Sequence, residues 1–228
     1  MSNYRNENGI AHILLDDGKV NALGSTSIAD VNADLDQVLE EDAAAVIISG
    51  RAGIFSAGFD LKELQSGDAA RERLRLRLID LVLRIVTFDR PVVVACTGHA
   101  LAAGAALLLA ADRRLGLDGP FKLGFNEASL GVSISPVTVE LARYRMPMPW
   151  FESLITGDTF SPHEAQQAGL LDEVVGDGNA LGDHTRAAAE QLRRTPLATF
   201  LEMRRLVRAP TTEVMRSERR RLSASAAE

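Results

Sequence analysis

PVVVACTGHALAAGAALLLAAD, residues 91–112, is the stretch from which the rest of the chain can be read. It opens on Pro91 and runs through a β-branched tract to Cys96, with the length and residue types of a strand buried on both faces. From Leu101 to Ala111 no side is polar, so a helix there must be surrounded by protein. Between the two lies Gly98–Gly104, a turn of small or modest side chains. Such a turn lets a ligand approach the backbone, and the N–H groups that open a helix have no partners inside it. On this stretch alone, a tightly packed strand–turn–helix with no ligand is the favoured reading.

A second stretch, VIISGRAGIFSAGFDLKEL at residues 46–64, repeats the plan of apolar strand, small-residue turn and helix start. Asp60 and Glu63 have capping-box spacing, and residues 55–59 would present backbone N–H groups at a second helix N-terminus. Two such turns in one domain suggest a pair of donors for a developing oxyanion.

Composition sets the bounds. The 228 residues, 46% hydrophobic and 25% charged, are those of a soluble globular chain with ample core. A net charge of −6 and the lack of a basic, aromatic-interleaved patch argue against nucleic acid. An anionic ligand would need local cations instead. The polar start MSNYRNENGI has no apolar targeting core, and the run Ala100–Ala111 is too short to span a bilayer. A single cysteine, Cys96, excludes an internal disulfide and fits a reducing, cytoplasmic setting. Four scattered histidines offer no metal spacing.

In chain order the pattern predicts a hairpin over Tyr4–Leu15 turning at Asn8-Gly9, and an amphipathic helix over Ser25–Asp42. A strand at Ala43–Ser49 and a helix over Ala69–Phe88 follow. The arginines of that helix, Arg71, Arg73, Arg75 and Arg77, read as a solvated face or as phosphate contacts. Short strands are predicted at Arg113–Leu117 and Phe121–Leu123, and a helical turn at Glu127–Leu130. Helical pieces are expected at Pro136–Tyr144 and Trp150–Thr156, and Ser161-Pro162-His163-Glu164 starts another. A strand at Leu171–Val175 is followed by helices at Ala180–Arg194, Pro196–Val207 and Thr211–Leu222, with residues 223–228 fraying. The fold class is α/β, with a core over residues 1–180 and a C-terminal helical extension over 181–228.

FSAGFDLKEL followed by PVVVACTGHALAAGAALLLAAD resembles the enoyl-CoA hydratase/isomerase (crotonase) superfamily, over about Val20 to Val175 and including VNAL and ITGDTFSPHEAQQAGLLDEVV. The resemblance implies a ββα spiral core and an acyl-CoA substrate, with no cofactor beyond the coenzyme A of that substrate. It further implies a homotrimer or dimer of trimers, and oxyanion donors at the N–H groups of Phe59 and Ala103. Glycine is usual at the latter position, so a positive φ there would strain Ala103. Ala22, Leu23, Ala57, Gly58, Asp60, Leu61 and Gly104 would line the coenzyme A path, with Lys62 and Arg51 as phosphate partners. Hydratases of the family use two glutamates. Their first position falls at Ala106, which cannot transfer a proton, and the second at Glu127. The segment GFNEASLG resembles the Δ3,Δ2-enoyl-CoA isomerase branch, where one glutamate suffices. The implied reaction is therefore a double-bond shift through a dienolate, with Glu127 carrying the proton. Another crotonase reaction (hydration, thioester hydrolysis, decarboxylation) and a non-catalytic acyl-CoA binder are the alternatives. His99, inside the turn, is either a space filler or a secondary acid/base.

Overall fold

The computed structural model describes residues 2–225. The chain opens with β1 (Ser2–Glu7) and β2 (Ile10–Leu15), joined at Asn8-Gly9, where both residues take positive φ (54° and 77°). That is the turn a tight antiparallel hairpin requires. After β3 (Ala22–Leu23) come α1 (Ser25–Glu40), β4 (Ala45–Gly50), β5 (Gly53–Ser56) and β6 (Gly58–Phe59). Next are α2 (Leu61–Leu64), α3 (Asp68–Val86), β7 (Val92–Cys96), β8 (Gly98–Leu101) and α4 (Ala103–Ala110). β9 (Arg113–Leu117), β10 (Leu123–Gly124) and a 3-10 turn at Ala128–Leu130 lead to α5 (Pro136–Arg145), α6 (Met148–Phe151) and α7 (Ser153–Thr156). The chain finishes with β11 (Thr159–Phe160), α8 (Pro162–Gln167), β12 (Glu173–Val175), α9 (Gly178–Arg193) and α10 (Leu197–Ser225).

Three consecutive units explain the architecture. β4, β7 and β9 lie in a six-stranded sheet of order β1-β2-β4-β7-β9-β12, parallel except for the β1–β2 hairpin. The strand after each of them, β5, β8 or β10, turns into a second sheet of order β11-β10-β8-β5. The result is a strand–strand–helix spiral, of which the sequence displays only two turns clearly. The residues of 98–101, expected as part of a turn, are therefore a strand. Close packing without side chains makes this possible: a Cβ on Gly98 would sit 2.0 Å from the Gly53 carbonyl carbon.

The six-stranded sheet is covered on both faces, which is why β7 is apolar at every position. Val92, Val94 and Cys96 join the larger cluster with α1, α3 and α4, whereas Val93 and Ala95 join Ile47, Leu115, Leu181 and Ala189. The last two belong to α9, so α9 is a layer of the core, and the division drawn at residue 180 falls inside it. α10 packs across α3 and α5. It is one helix where two were expected, continuing through Pro210. Both halves are held: Arg204 and Arg208 pair with Asp112, Met215 is in the core, and Arg219 grips Asp80 through two 2.7 Å bonds. Tertiary anchoring on both sides outweighs the lost backbone donor. Ser223–Ser225 are helical, and residues 226–228 lie outside the described range. Among the described residues no helix is long and apolar enough to cross a membrane.

Candidate active site

Three chain segments meet where the second sheet runs out. The first is Gly58–Phe59, paired in parallel with Ala22–Leu23. Gly58 has φ 98°, and a Cβ there would lie 3.0 Å from Ala102 Cβ, 3.1 Å from the Leu101 carbonyl and 3.5 Å from the Ala103 nitrogen. Only glycine allows that approach. Its N–H donates to Ser56 Oγ at 3.2 Å, and Ser56 Oγ donates to the Asn21 carbonyl at 2.8 Å.

The second segment is the start of α4. Ala102, its N-cap, has φ 51° and ψ −118°, and its N–H donates to the Gly124 carbonyl at 2.9 Å. The strain expected at Ala103 therefore falls one residue earlier, on Ala102, whereas Ala103 is already helical. As the first helical residue, Ala103 has an N–H with no carbonyl four residues back inside the helix. Gly104 is required by contact, since a Cβ would come within 2.6 Å of the Ser56 carbonyl oxygen. Ala106 is buried, and its methyl group offers nothing to exchange a proton.

The third segment follows β10, which runs parallel to β8 with Gly124 opposite Leu101. Two residues later Asn126 and Glu127 enter the 3-10 turn, and the Glu127 carbonyl accepts from the N–H groups of Leu130 and Val132 at 2.9 Å each. The Glu127 side chain is largely withdrawn from water, and its Oε2 is buried without a hydrogen-bond partner. Desolvation raises its pKa above the ordinary carboxylate value, opposed in part by its own backbone N–H and by the charge of Arg75. A largely buried carboxyl with one oxygen unpaired and a raised pKa suits a group that takes and returns a proton.

Other expected residues are distributed less simply. Leu23 is a core side chain, so Ala22-Leu23 could touch a ligand only through backbone; Leu61 and Lys62 are exposed. Asp60 caps α2 by accepting from Lys62 N–H at 2.8 Å, but Glu63 does not complete a box with it. Glu63 reaches instead to the Ser25 N–H at 2.7 Å and to its hydroxyl, tying α2 to α1. Arg51 donates to the Lys19 carbonyl at the surface, an engagement a phosphate contact would have to displace. His99 Nδ1 accepts from Lys122 N–H at 3.0 Å while its ring packs edge-on against Phe121, an anchoring arrangement. Asn21 was quoted in VNAL without a role. It is buried with φ 52°, and its amide donates to the carbonyls of Leu15, Ile54 and Phe55, joining the first strands to the Gly58 turn. The signal for it was Asp16-Asp17-Gly18 just before, since Asp17 accepts from the N–H groups of Lys19, Asn21 and Ala22.

The family model for enoyl-CoA hydratase/isomerase matches residues 5–225. The chain belongs to the enoyl-CoA hydratase/isomerase family. A probable enoyl-CoA hydratase of Mycobacterium avium is 36% identical over 190 residues, 82% of this chain and 72% of that one. Among solved structures, an enoyl-CoA hydratase/isomerase family protein of Pseudomonas syringae superposes with TM-score 0.93 at 35% identity, covering 96% of this chain and 95% of that one. A Mycobacterium tuberculosis protein, called an enoyl-CoA isomerase in one structure and a probable enoyl-CoA hydratase in another, gives TM-score 0.92 at 29% identity in the first, covering 98% of this chain and 97% of that one. The spiral α/β core is thus the crotonase fold.

Proposed function

We propose that this enoyl-CoA hydratase/isomerase family member is a Δ3,Δ2-enoyl-CoA isomerase. The thioester oxygen would take hydrogen bonds from the N–H groups of Phe59 and Ala103 as charge develops on it. Glu127 would remove a proton from C2 of a 3-enoyl-CoA, giving a dienolate, and return it to C4, so the double bond moves into conjugation. The observation that carries this reading is the lone buried carboxylate of Glu127, with one oxygen unpaired and an alanine, Ala106, at the position of a second acid/base. Adding water needs a second group to hold and activate it.

The backbone around Ala57–Leu61, Ala22-Leu23 and Gly104 would receive the coenzyme A portion, and no further cofactor is required. A groove of about 740 Å³ lined by Ala128, Val132, Ile134, Phe151 and Leu154 offers an apolar path beside the turn for the acyl chain. Leu130, an exposed apolar side chain that does not line this groove, is one that trimer assembly would cover. Cys96 is buried with its thiol pushed up to about 12 by desolvation, and a chain with a single cysteine fits a cytoplasmic setting.

The test is a spectrophotometric assay with a medium-chain 3-enoyl-CoA run beside the matching 2-enoyl-CoA. A rise in conjugated-enoyl absorbance that drops about 10²–10⁴-fold in Glu127→Ala is the expected result. Loss of the 2-enoyl signal with no rise from the 3-enoyl substrate would establish the second reading, hydration, which the names of relatives such as the M. avium protein favour.

A further inference from the structure

The four arginines on α3 are not equivalent. Arg71 folds back on its own helix, bonding Asp68 at 2.8 Å and the Leu64 carbonyl at 3.3 Å, while Arg73 and Arg77 are exposed. Arg75 is half-buried, and its Nη2 donates to the Ser133 carbonyl at 3.1 Å, across 58 residues of chain. Ser133 sits just beyond the turn that carries Glu127. That turn is closed on its own backbone only as far as Val132, whose N–H reaches the Glu127 carbonyl. Among the described residues, Ser133 and Ile134 make no backbone–backbone hydrogen bond, and the next such bond is Val139 N–H to Ser135. A guanidinium on a rigid helix is thus the tether of this stretch.

We propose that Arg75 is a positioning residue acting through Glu127: by clamping α3 to the Ser133 carbonyl it holds the turn 127–134, and with it the acid/base carboxylate, in place. This rests on Glu127 being the acid/base of the preceding section. The charge of Arg75 contributes as well, because it favours the ionised carboxylate that desolvation disfavours. Arg143 of α5 and Glu152 line the groove beside the turn, with Arg143 paired to Glu140 at 3.6 Å, and the charge that acts on Glu127 is that of Arg75. α7 has no titratable side chain, with Glu152 and Asp158 at its two ends, and Asp158 is engaged by the Thr156 hydroxyl at 2.6 Å. β10 has none either. Arg75 therefore joins two functions in one side chain, a mechanical tie to the loop and an electrostatic counterweight to burial. A substrate phosphate contact, the other use suggested for these arginines, would act on binding and not on the proton transfer.

The two functions separate in Arg75→Met and Arg75→Lys, read by hydrogen–deuterium exchange over residues 127–135 and by the pH dependence of kcat and kcat/KM with a 3-enoyl-CoA. For Arg75→Met, exchange over 131–135 should rise about tenfold and kcat fall about tenfold, with KM within about twofold. Losing a positive charge raises the Glu127 pKa, so the acid limb of the profile should move to higher pH. Arg75→Lys, which keeps the charge, should keep the limb in place. Unchanged exchange and an unchanged limb in Arg75→Met would overturn the proposal, as would a rise in KM alone, which would make Arg75 a phosphate contact. Glu127→Gln run in parallel separates the two ideas. If it leaves isomerisation intact, the reading of Glu127 falls and the proposed action through it falls too, while exchange still reports whether the clamp exists.

Discussion

The two ends of α4 are built on opposite rules. At its C-terminal end every feature goes toward satisfying backbone and charge. Arg145 donates to the Leu109 and Ala111 carbonyls at 3.0 and 2.5 Å, and Asp112 caps the Val92 N–H at 2.7 Å. The Asp112 carboxylate also takes Arg204 at 3.0 Å and Arg208 at 2.7 Å, and both arginines donate in addition to carbonyls of residues 86–90. Cations at a helix C-terminus complement its dipole. Burial, and secondarily the nearby charges of Arg114 and Arg208, lowers the pKa of Arg145 to about 9. At the N-terminal end nothing of the kind is done. No side chain caps Ala102, Ser56 lies against Gly104 with its hydroxyl given to the Asn21 carbonyl, and Glu127 Oε2 has no partner. One helix is thus anchored at one end, while the other, under the function proposed above, would offer its N–H groups to substrate. The contrast separates stability from the proposed chemistry along one buried rod.

Breaking the anchored end should have the larger effect on folding. Asp112→Ala leaves Arg204 and Arg208 buried and unpaired and should cost about 3–5 kcal/mol. Urea unfolding should show a lower midpoint with an unchanged slope, and turnover per folded molecule should hold. An equal loss of kcat with no loss of stability would contradict the division between the two ends.

The active end should instead gain stability when its strain is removed. Ala102→Gly relieves a positive φ at a residue with a Cβ, a gain reduced by the greater freedom of glycine in the unfolded chain. The net should be about 0.5–1 kcal/mol more stable by the same measurement. Because Ala103 keeps its place, kcat/KM should change by less than about twofold.

The smallest effect concerns the unpaired carboxylate. Its folded pKa is raised, so its contribution to stability is full below the unfolded value and is lost as pH rises through the folded one. Glu127→Gln should therefore melt higher than the parent at pH 8, by about 2–4 °C for each kcal/mol recovered, with the gap closing toward pH 4. A gap that widened on acidification would mean that the carboxylate has a partner after all.

Much of this was readable beforehand, and for identifiable reasons. The strand Val92–Cys96, the helix after it and the hairpin at Asn8-Gly9 rest on local pattern, and each is where the pattern puts it. The strand Gly98–Leu101 was not legible, because its case rests on glycines that let it lie against Gly53 and not on β-branched residues. The Ala102 strain, the Arg75 tether and the continuity of α10 through Pro210 depend on partners far away in the chain, for which spacing carries no signal.

Two pairs with capping-box spacing make the boundary plain. Ser161 and Glu164 form the reciprocal pair that their spacing predicts, with Ser161 N–H to Glu164 at 2.8 Å and Glu164 N–H to Ser161 at 3.4 Å. Asp60 and Glu63 have the same spacing, yet Glu63 is claimed by Ser25, and Asp60 N–H goes to the Leu23 carbonyl. By itself the sequence determined the order of strands and helices, the buried apolar rods and the small-residue turns, because short-range sterics and hydrophobic periodicity act within a few residues. Only the tertiary structure decided which carboxylate is left unpaired and which end of α4 is held by arginines. A hydrogen bond is made with whichever partner the folded chain brings within 3 Å, and that partner is seldom a neighbour in sequence.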